Sequence, residues 1–127
     1  MNTFTYFLAG MSLGVIIFQS ALVAPTVFSQ LKDGAGGPFL RALFPRFFLM
    51  LAALGLGIAI NAALVGEASV IGAGAGAMGF GLIAYLIIPA TNRARDAGHS
   101  EKFKRLHTAS VLLMLGIALI DCVLLFQ

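Results

Sequence analysis

The feature that most constrains this chain is its last apolar run, residues 109–126, where only Ser110, Asp121 and Cys122 have hydrogen-bonding side chains. A basic stretch, 104–105, precedes this run. About eighteen or more mostly apolar residues with positive charge at one end are typical of a helix that crosses a bilayer. The sequence therefore predicts a membrane-spanning helix at this end of the chain.

Three earlier segments repeat this design. Pro25 lies near the end of the first segment and predicts a kink, because proline cannot donate the backbone hydrogen bond that continues a helix. The glycine-rich stretch 33–37 predicts a turn, and Pro38 suits the first turn of the next helix. The four predicted helices occupy about 3–31, 38–66, 69–95 and 100–127.

The composition agrees with a lipid environment and sets the fold class. The chain has 127 residues, of which 60% are hydrophobic and 10% are charged, whereas a soluble domain has about 25% charged residues. Backbone polar groups in lipid need partners within the protein, so spans this apolar are expected to be helical. Short links make consecutive helices antiparallel neighbours. The predicted fold is all-α: a single domain, 1–127, forming an integral membrane up-down-up-down four-helix bundle.

The distribution of basic residues predicts the orientation of this bundle. All eight lysines and arginines lie in or beside the first and third connections: Lys32, Arg41, Arg46, Arg93, Arg95, Lys102, Lys104 and Arg105. The second connection, 66–68, and both termini have none. By the positive-inside rule, we expect both basic connections in the cytoplasm and both termini outside. Because residues 1–7 lack a positive charge, we expect a retained helix rather than a signal peptide, and we expect the inner membrane of a bacterium.

Three polar side chains fall inside the predicted spans. Asn61 and Asp121 have similar predicted depths in the outer half of the bilayer, so a hydrogen bond between the second and fourth helices is expected. Asp121 is either a functional intramembrane carboxylate or a side chain that reaches the outer headgroups. Gln19, in the cytoplasmic half, is expected to form a hydrogen bond between helices.

His107 is the one candidate metal ligand in a span. It is either a ligand for a metal, a haem or a proton, or an interfacial histidine that hydrogen-bonds to neighbouring helix ends. The second interpretation is favoured, since the other histidine, His99, lies in a predicted turn. Cys122 is the only cysteine, so no internal disulfide is expected.

The remaining patterns concern partners. Gly72 and Gly76 form a GxxxG pair, which predicts close helix packing and a surface for a homo-oligomer or another membrane protein. Basic residues near the cytoplasmic surface are expected to attract anionic lipids. Phosphate-binding loops, nucleophile elbows and metal-ligand spacings are absent from the sequence. We therefore expect neither a nucleic-acid partner nor a bound cofactor.

Three short motifs then resemble those of the transmembrane protein 205-like family. They are residues 24–28 (Ala-Pro-Thr-Val-Phe), residues 43–45 (Leu-Phe-Pro), and Leu106-His107 followed by Ser110. The resemblance covers nearly the whole chain and implies a small four-helix membrane domain of unknown function. Family members often carry Asn a few residues after the serine, whereas this chain has Leu113 and Met114.

The resemblance implies that the signature residues lie at the cytoplasmic ends of the helices. We expect them to meet in one binding or structural cluster: Pro25, Phe28, Phe44, Pro45, His107 and Ser110. In that cluster, His107 and Ser110 would satisfy carbonyl groups that the two prolines leave unpaired. The favoured function is a non-enzymatic accessory or scaffold bundle. The alternatives are a small-solute or metal transporter, and a haem- or copper-associated membrane protein that uses His107.

Overall fold

The computed structural model describes residues 1–127, and all its regular structure is helical. In chain order the elements are α1 (Thr3–Phe18), a π-helical turn (Gln19–Val23), α2 (Ala24–Gln30), α3 (Gly36–Val65), α4 (Ala68–Asp96) and α5 (Ser100–Leu125). The first three elements are continuous and form the first span, Thr3–Gln30.

Four helices are therefore long and apolar enough to cross a membrane, with mean hydropathy values between 1.9 and 2.4. This confirms the prediction of an all-helical chain with four membrane-length helices. The surface of the bundle is also apolar, because large hydrophobic side chains such as Phe7, Leu64 and Leu86 are exposed. An apolar surface of this extent is unfavourable in water and matches the acyl chains of a bilayer.

At the predicted kink near Pro25, the structure has a π-helical turn. The ring of Pro25 cannot donate a backbone hydrogen bond, and it crowds the carbonyl group one turn earlier. Just before the proline, the N–H of Ala24 donates to the carbonyl of Gln19, five residues back. The extra residue in this turn lets the helix continue through Pro25 to Gln30.

α3 and α4 pack more extensively than any other pair of helices, and glycine makes this close approach possible. A Cβ atom on Gly55 would lie 2.5 Å from the backbone nitrogen of Met78, and one on Gly74 would lie 2.5 Å from that of Ala59. Gly81 contacts α3 in the same way, since its Cβ would lie 2.9 Å from the backbone nitrogen of Ala52.

The glycines that bring α4 against α3 are not the pair singled out by the sequence pattern. A Cβ atom on Gly72 would contact nothing within 4 Å, and one on Gly76 would lie at an ordinary 3.6 Å from the side chain of Ile120 on α5. α4 therefore packs closely through glycine, as predicted, but it does so through Gly74 and Gly81 and not through Gly72 and Gly76.

Two glycines end α3 and α4 in the same way. Gly66 and Gly98 both have positive φ values, 78° and 73°, which glycine adopts without strain. The N–H of Glu67 donates to the carbonyl of Ala62, and the N–H of His99 donates to that of Ala94. These bonds are typical of a Schellman motif, in which a left-handed residue closes the helix. They allow the tight links that follow α3 and α4.

The buried side chains form two clusters along the bundle. One includes Leu8, Ile58 and Leu124, and it lies toward the end of the bundle that holds the chain termini and Gly66. We call this the terminal end. The other cluster includes Phe47 and Ile117 and lies nearer the opposite end, where the basic residues are found. We call this the basic end.

Candidate functional site

A cleft of about 500 Å³ lies among the helices at the basic end, and we call it the basic cleft. Residues from all four spans line it. Its polar lining consists of Gln19, Ser20, Arg41, Thr91, Asn92, Arg95, His107 and Ser110. Its apolar lining consists of Ala24, Phe28, Leu40, Phe44, Phe48, Ile88, Phe103, Val111 and Met114. This volume and mixture of groups are typical of sites for small ligands.

The structure brings four of the six residues of the expected cluster to this cleft, namely Phe28, Phe44, His107 and Ser110. Pro25 and Pro45 do not line it. The roles expected for the two hydrogen-bonding residues also differ. The hydroxyl of Ser110 donates to the carbonyl of Leu106 in its own helix, 3.2 Å away, and His107 forms no hydrogen bond to a proline-freed carbonyl.

Gln19 is the most enclosed polar residue of the basic cleft. It lies in the π-helical turn and is 6% exposed. The hydrogen bond between helices that the sequence predicts does not form, because the Gln19 amide has no protein partner. A buried amide without a partner is unfavourable unless something else satisfies it. Here the amide borders the cleft, where a ligand or water can do so.

Charge in the cleft comes from two arginines. The guanidinium group of Arg41 forms a two-pronged salt bridge with Asp96, with one contact of 3.1 Å. Arg95 forms no salt bridge, and its Cζ atom lies 5.3 Å from the centre of the Phe103 ring. No aspartate or glutamate lines the cleft. Because Asp96 is paired with Arg41, the positive charge of Arg95 remains available to a ligand.

His107 stacks on the same aromatic ring. The imidazole and the Phe103 ring have centroids 5.7 Å apart and planes inclined by 12°. Phe103 thus lies against both Arg95 and His107 and holds them at one side of the cleft. Sequence reasoning missed Phe103, Asn92 and Arg95 as site residues, although two spacings point to them. Asn92 and Arg95 are three residues apart, and Phe103 and His107 are four apart, so each pair shares a helix face.

His107, the candidate ligand for a metal or a haem, lies in the lining of the basic cleft. No group of three or more histidine, cysteine, aspartate or glutamate side chains lies close enough together to hold a metal ion. His107 is the only one of these residue types in the cleft lining.

The hydrogen bond predicted between Asn61 and Asp121 does not form. Instead, the amide of Asn61 donates to the side chains of Asn2 and Thr5, each at 2.8 Å. The first span therefore binds α3 through a polar network at the terminal end. Thr5 is fully buried in this network. Near it, the amino group of Met1 lies 3.0 Å from Glu67.

Asp121 is fully buried and does not reach the surface of the bundle. Neither carboxyl oxygen has a hydrogen-bond partner, although the buried hydroxyl of Ser12 on α1 lies near the carboxyl group. An ionisable group in this setting is unfavourable for folding. Asp121 is therefore a second polar feature of interest, separate from the basic cleft, whose lining it does not join.

The fold and the cleft together define a four-helix protein of membrane type with a ligand-sized cleft at its basic end. Comparison with protein families places the chain more narrowly. It belongs to the family described as Domain of unknown function (DUF4149), which matches residues 7–100. The matched region covers the first span from residue 7 onward and all of the second and third spans, and it ends where α5 begins. No curated protein and no solved structure matches the chain.

Proposed function

We propose that this protein is an up-down-up-down bundle in the inner membrane of a bacterium, with both termini outside and the basic end in the cytoplasm. The positive-inside distribution supports this orientation, because all eight lysines and arginines lie toward one end. The basic cleft then opens at the cytoplasmic surface. The resemblance to the transmembrane protein 205-like family belongs to the same proposal, since its motif residues Phe28, Phe44 and His107 line that cleft.

The function we propose is non-enzymatic: the protein binds a small amphiphilic ligand in the basic cleft and acts as an accessory protein of the membrane. The observation that carries this proposal is the cleft itself, in which residues of all four spans surround about 500 Å³. Apolar side chains line one part of it, and the unpartnered Gln19 and Arg95 supply polar contacts. An amphiphile offers matching surfaces for both.

The state of the hydroxyl groups favours binding over catalysis. Thr91 and Ser110 both donate to carbonyl groups of their own helices, at 2.9 Å and 3.2 Å. Ser20 lies 3.9 Å from the sulfur of Met114. A nucleophilic hydroxyl is normally activated by a neighbouring base, and these three hydroxyls bond elsewhere.

Native mass spectrometry of the purified protein tests this proposal. We expect the wild-type protein to retain a ligand that is released when Ala24→Phe fills the cleft with an aromatic ring. Ala21→Phe is the matched control, because Ala21 is exposed in the π-helical turn just before Ala24 and does not line the cleft. Equal retention by wild type and Ala24→Phe would contradict binding in the cleft.

A second candidate function, transport of a small solute coupled to protons, is favoured by one observation. Asp121 is a buried, unpartnered carboxyl group within a span, and such groups often belong to proton pathways. In proteoliposomes, this function predicts substrate-dependent proton flux that Asp121→Asn abolishes. Flux that is absent from the wild-type protein for all solutes tested would contradict it.

The proposal also includes a surface on α4 that binds a protein partner. Gly72 is exposed on α4, with open space where a side chain would be. We therefore retain Gly72 and Gly76 as the surface through which the bundle forms a homo-oligomer or contacts another membrane protein. Cross-linking of a cysteine introduced at Gly72 tests this, and monomers only would contradict it.

A further inference from the structure

We propose that the ligand of the basic cleft is an anionic diacyl lipid, whose head group is bound by Arg95 and His107 and whose ester carbonyl is bound by Gln19. This inference rests on the proposed binding function and names the chemical class of the ligand. It depends on three features of the cleft: its charge, its one buried amide, and the order in which these groups occur along the bundle.

The charge of the cleft selects an anion. Arg95 has no carboxylate partner, and its guanidinium group is held against Phe103 beside His107. An arginine in this position presents several N–H donors, a geometry that suits the oxygens of a phosphate group. No acidic side chain lines the cleft, and the nearby carboxylate of Asp96 is paired with Arg41.

Gln19 supplies a neutral hydrogen-bonding group deeper in the cleft. The neighbouring Ser20 contacts Met114, so Gln19 lies near the level of Met114. That level is two helical turns, or about 10 Å, from His107 along α5. A buried glutamine amide can donate to an ester carbonyl, and this bond would satisfy a group that the protein leaves unpaired.

The order of the charged groups and the Gln19 amide along the cleft follows the order of the phosphate and the ester carbonyl in a diacyl lipid. Charged groups lie at the basic end, the Gln19 amide lies below them, and aromatic side chains such as Phe44 and Phe48 lie alongside. In the lipid, the phosphate is followed by ester carbonyls and then by acyl chains. Phe28 lies toward the basic end from Gln19 and is 67% exposed at the edge of the cleft, so it offers an apolar contact beside the head group. A free phosphate ion would contact only the charged groups at the basic end of the cleft.

The test uses the full-length protein in nanodiscs that contain phosphatidylglycerol, its ether-linked analogue and phosphatidylcholine, with retained lipid measured by native mass spectrometry. The wild-type protein should prefer phosphatidylglycerol over phosphatidylcholine by about tenfold, as expected for charge-assisted hydrogen bonds. Arg95→Gln should abolish this preference. Arg93→Gln should preserve it, because Arg93, two residues before Arg95, does not line the cleft.

The ester and ether lipids test Gln19 without changing the head group. The wild-type protein should retain the ester lipid about fivefold better, as expected for one buried hydrogen bond, and Gln19→Leu should remove that difference. Equal retention of ester and ether lipids by the wild-type protein would overturn the role of Gln19. A head-group preference that survives Arg95→Gln would overturn the role of Arg95, and release of the lipid by excess inorganic phosphate would identify a small anion as the ligand instead.

The Ala24→Phe variant separates the failure of this inference from the failure of the proposed function. If it releases the lipid while Arg95→Gln and Gln19→Leu leave both preferences intact, the cleft binds the lipid through other residues, so this inference fails and the proposed binding function stands. If it retains as much lipid as the wild-type protein, the cleft is not the binding site and both proposals fail.

Discussion

Some polar side chains inside this bundle form hydrogen bonds with other protein groups, and others do not. Asn61 and Thr5 bond to each other and to Asn2, so they join α1 to α3. Asp121 is fully buried, and its carboxyl oxygens form no hydrogen bond, although the Ser12 hydroxyl lies nearby. Gln19 is 6% exposed, and its amide, which borders the cleft, forms no hydrogen bond to the protein. Because an unsatisfied polar group lowers stability, its presence at a given position is better explained by a function than by folding.

Replacing Asp121 tests this reasoning directly. Asp121→Val removes the unsatisfied carboxyl oxygens and keeps a side chain of comparable size, so we expect the free energy of unfolding to rise by about 1 kcal/mol. Titration with a denaturing detergent, followed by circular dichroism, measures this change. Cys122→Val, at the adjacent half-buried position, serves as the control. A loss of stability specific to Asp121→Val would mean that the carboxyl group has a stabilising partner.

The Asn61 network has the opposite expectation. Asn61→Ala removes the donor of two hydrogen bonds of 2.8 Å and should lower the free energy of unfolding by about 1 kcal/mol, the usual size for polar contacts between membrane helices. In a double-mutant cycle, Thr5→Ala and Asn61→Ala should show a coupling energy. Thr91→Ala is the comparison, because its hydroxyl bonds only within α4. Additive effects of the two network variants would contradict a direct contact.

At the scale of helices, packing is close between α3 and α4 and looser around the first span. α3 and α4 are held together through glycine and backbone contact, whereas α1 packs less extensively against α3 and α5. Beyond the π-helical turn, α2 makes no extensive contact with another helix. The basic cleft lies in the space between the helices that this loosely packed part of the first span leaves open. Pro25, through the π-helical turn before it, therefore shapes the cleft without lining it.

The α3–α4 contact gives a prediction at this scale. Gly55→Ala places a methyl group 2.5 Å from the backbone nitrogen of Met78. Backbone atoms cannot move aside as a flexible side chain can, so the helices must separate, and we expect a loss of about 1–3 kcal/mol. Gly72→Ala is the matched control, since its added methyl group meets nothing within 4 Å. The same detergent titration measures both, and equal stabilities would contradict close packing at Gly55.

The sequence predicted the number of helices because composition and length decide it: apolar runs of this length leave few alternatives. It could not identify the packing glycines, since Gly72 and Gly74 differ only in the direction they face. That direction depends on how α4 is rotated against α3. Asn61 was assigned the wrong partner for a similar reason. Depth alone made Asp121 a candidate, while Asn2 and Thr5 were closer in space.

The candidate site was predicted only in part. Motifs pointed to Phe28, Phe44 and His107, because aromatic and titratable side chains stand out in an apolar sequence. Arg95 contributed only to the predicted orientation, since a basic residue at a helix end is ordinary in membrane proteins. Gln19 was recognised as polar, but its lack of a partner depends on the π-helical turn, which no sequence pattern indicated.

At the scale of the whole molecule, the two ends differ in charge and packing. The terminal end contains two acidic side chains, Asp121 and Glu67, and Glu67 pairs with the amino group of Met1. Its other contacts are apolar or neutral and polar. The basic end contains every lysine and arginine and the larger cleft. A smaller hollow of about 250 Å³ between α4 and α5, near the terminal end, has no titratable side chain in its lining. A ligand site open to the cytoplasm therefore requires that the basic end face inward.

Accessibility labelling of single cysteines tests this arrangement most directly. After Cys122→Ala removes the native thiol, cysteines are placed in the three exposed links as Ala35→Cys, Ala68→Cys and Ala97→Cys. With a membrane-impermeant maleimide, we expect Ala68→Cys to react in intact cells, and the other two to react only after the inner membrane is permeabilised. Reaction of Ala35→Cys or Ala97→Cys in intact cells, with Ala68→Cys protected, would contradict the account.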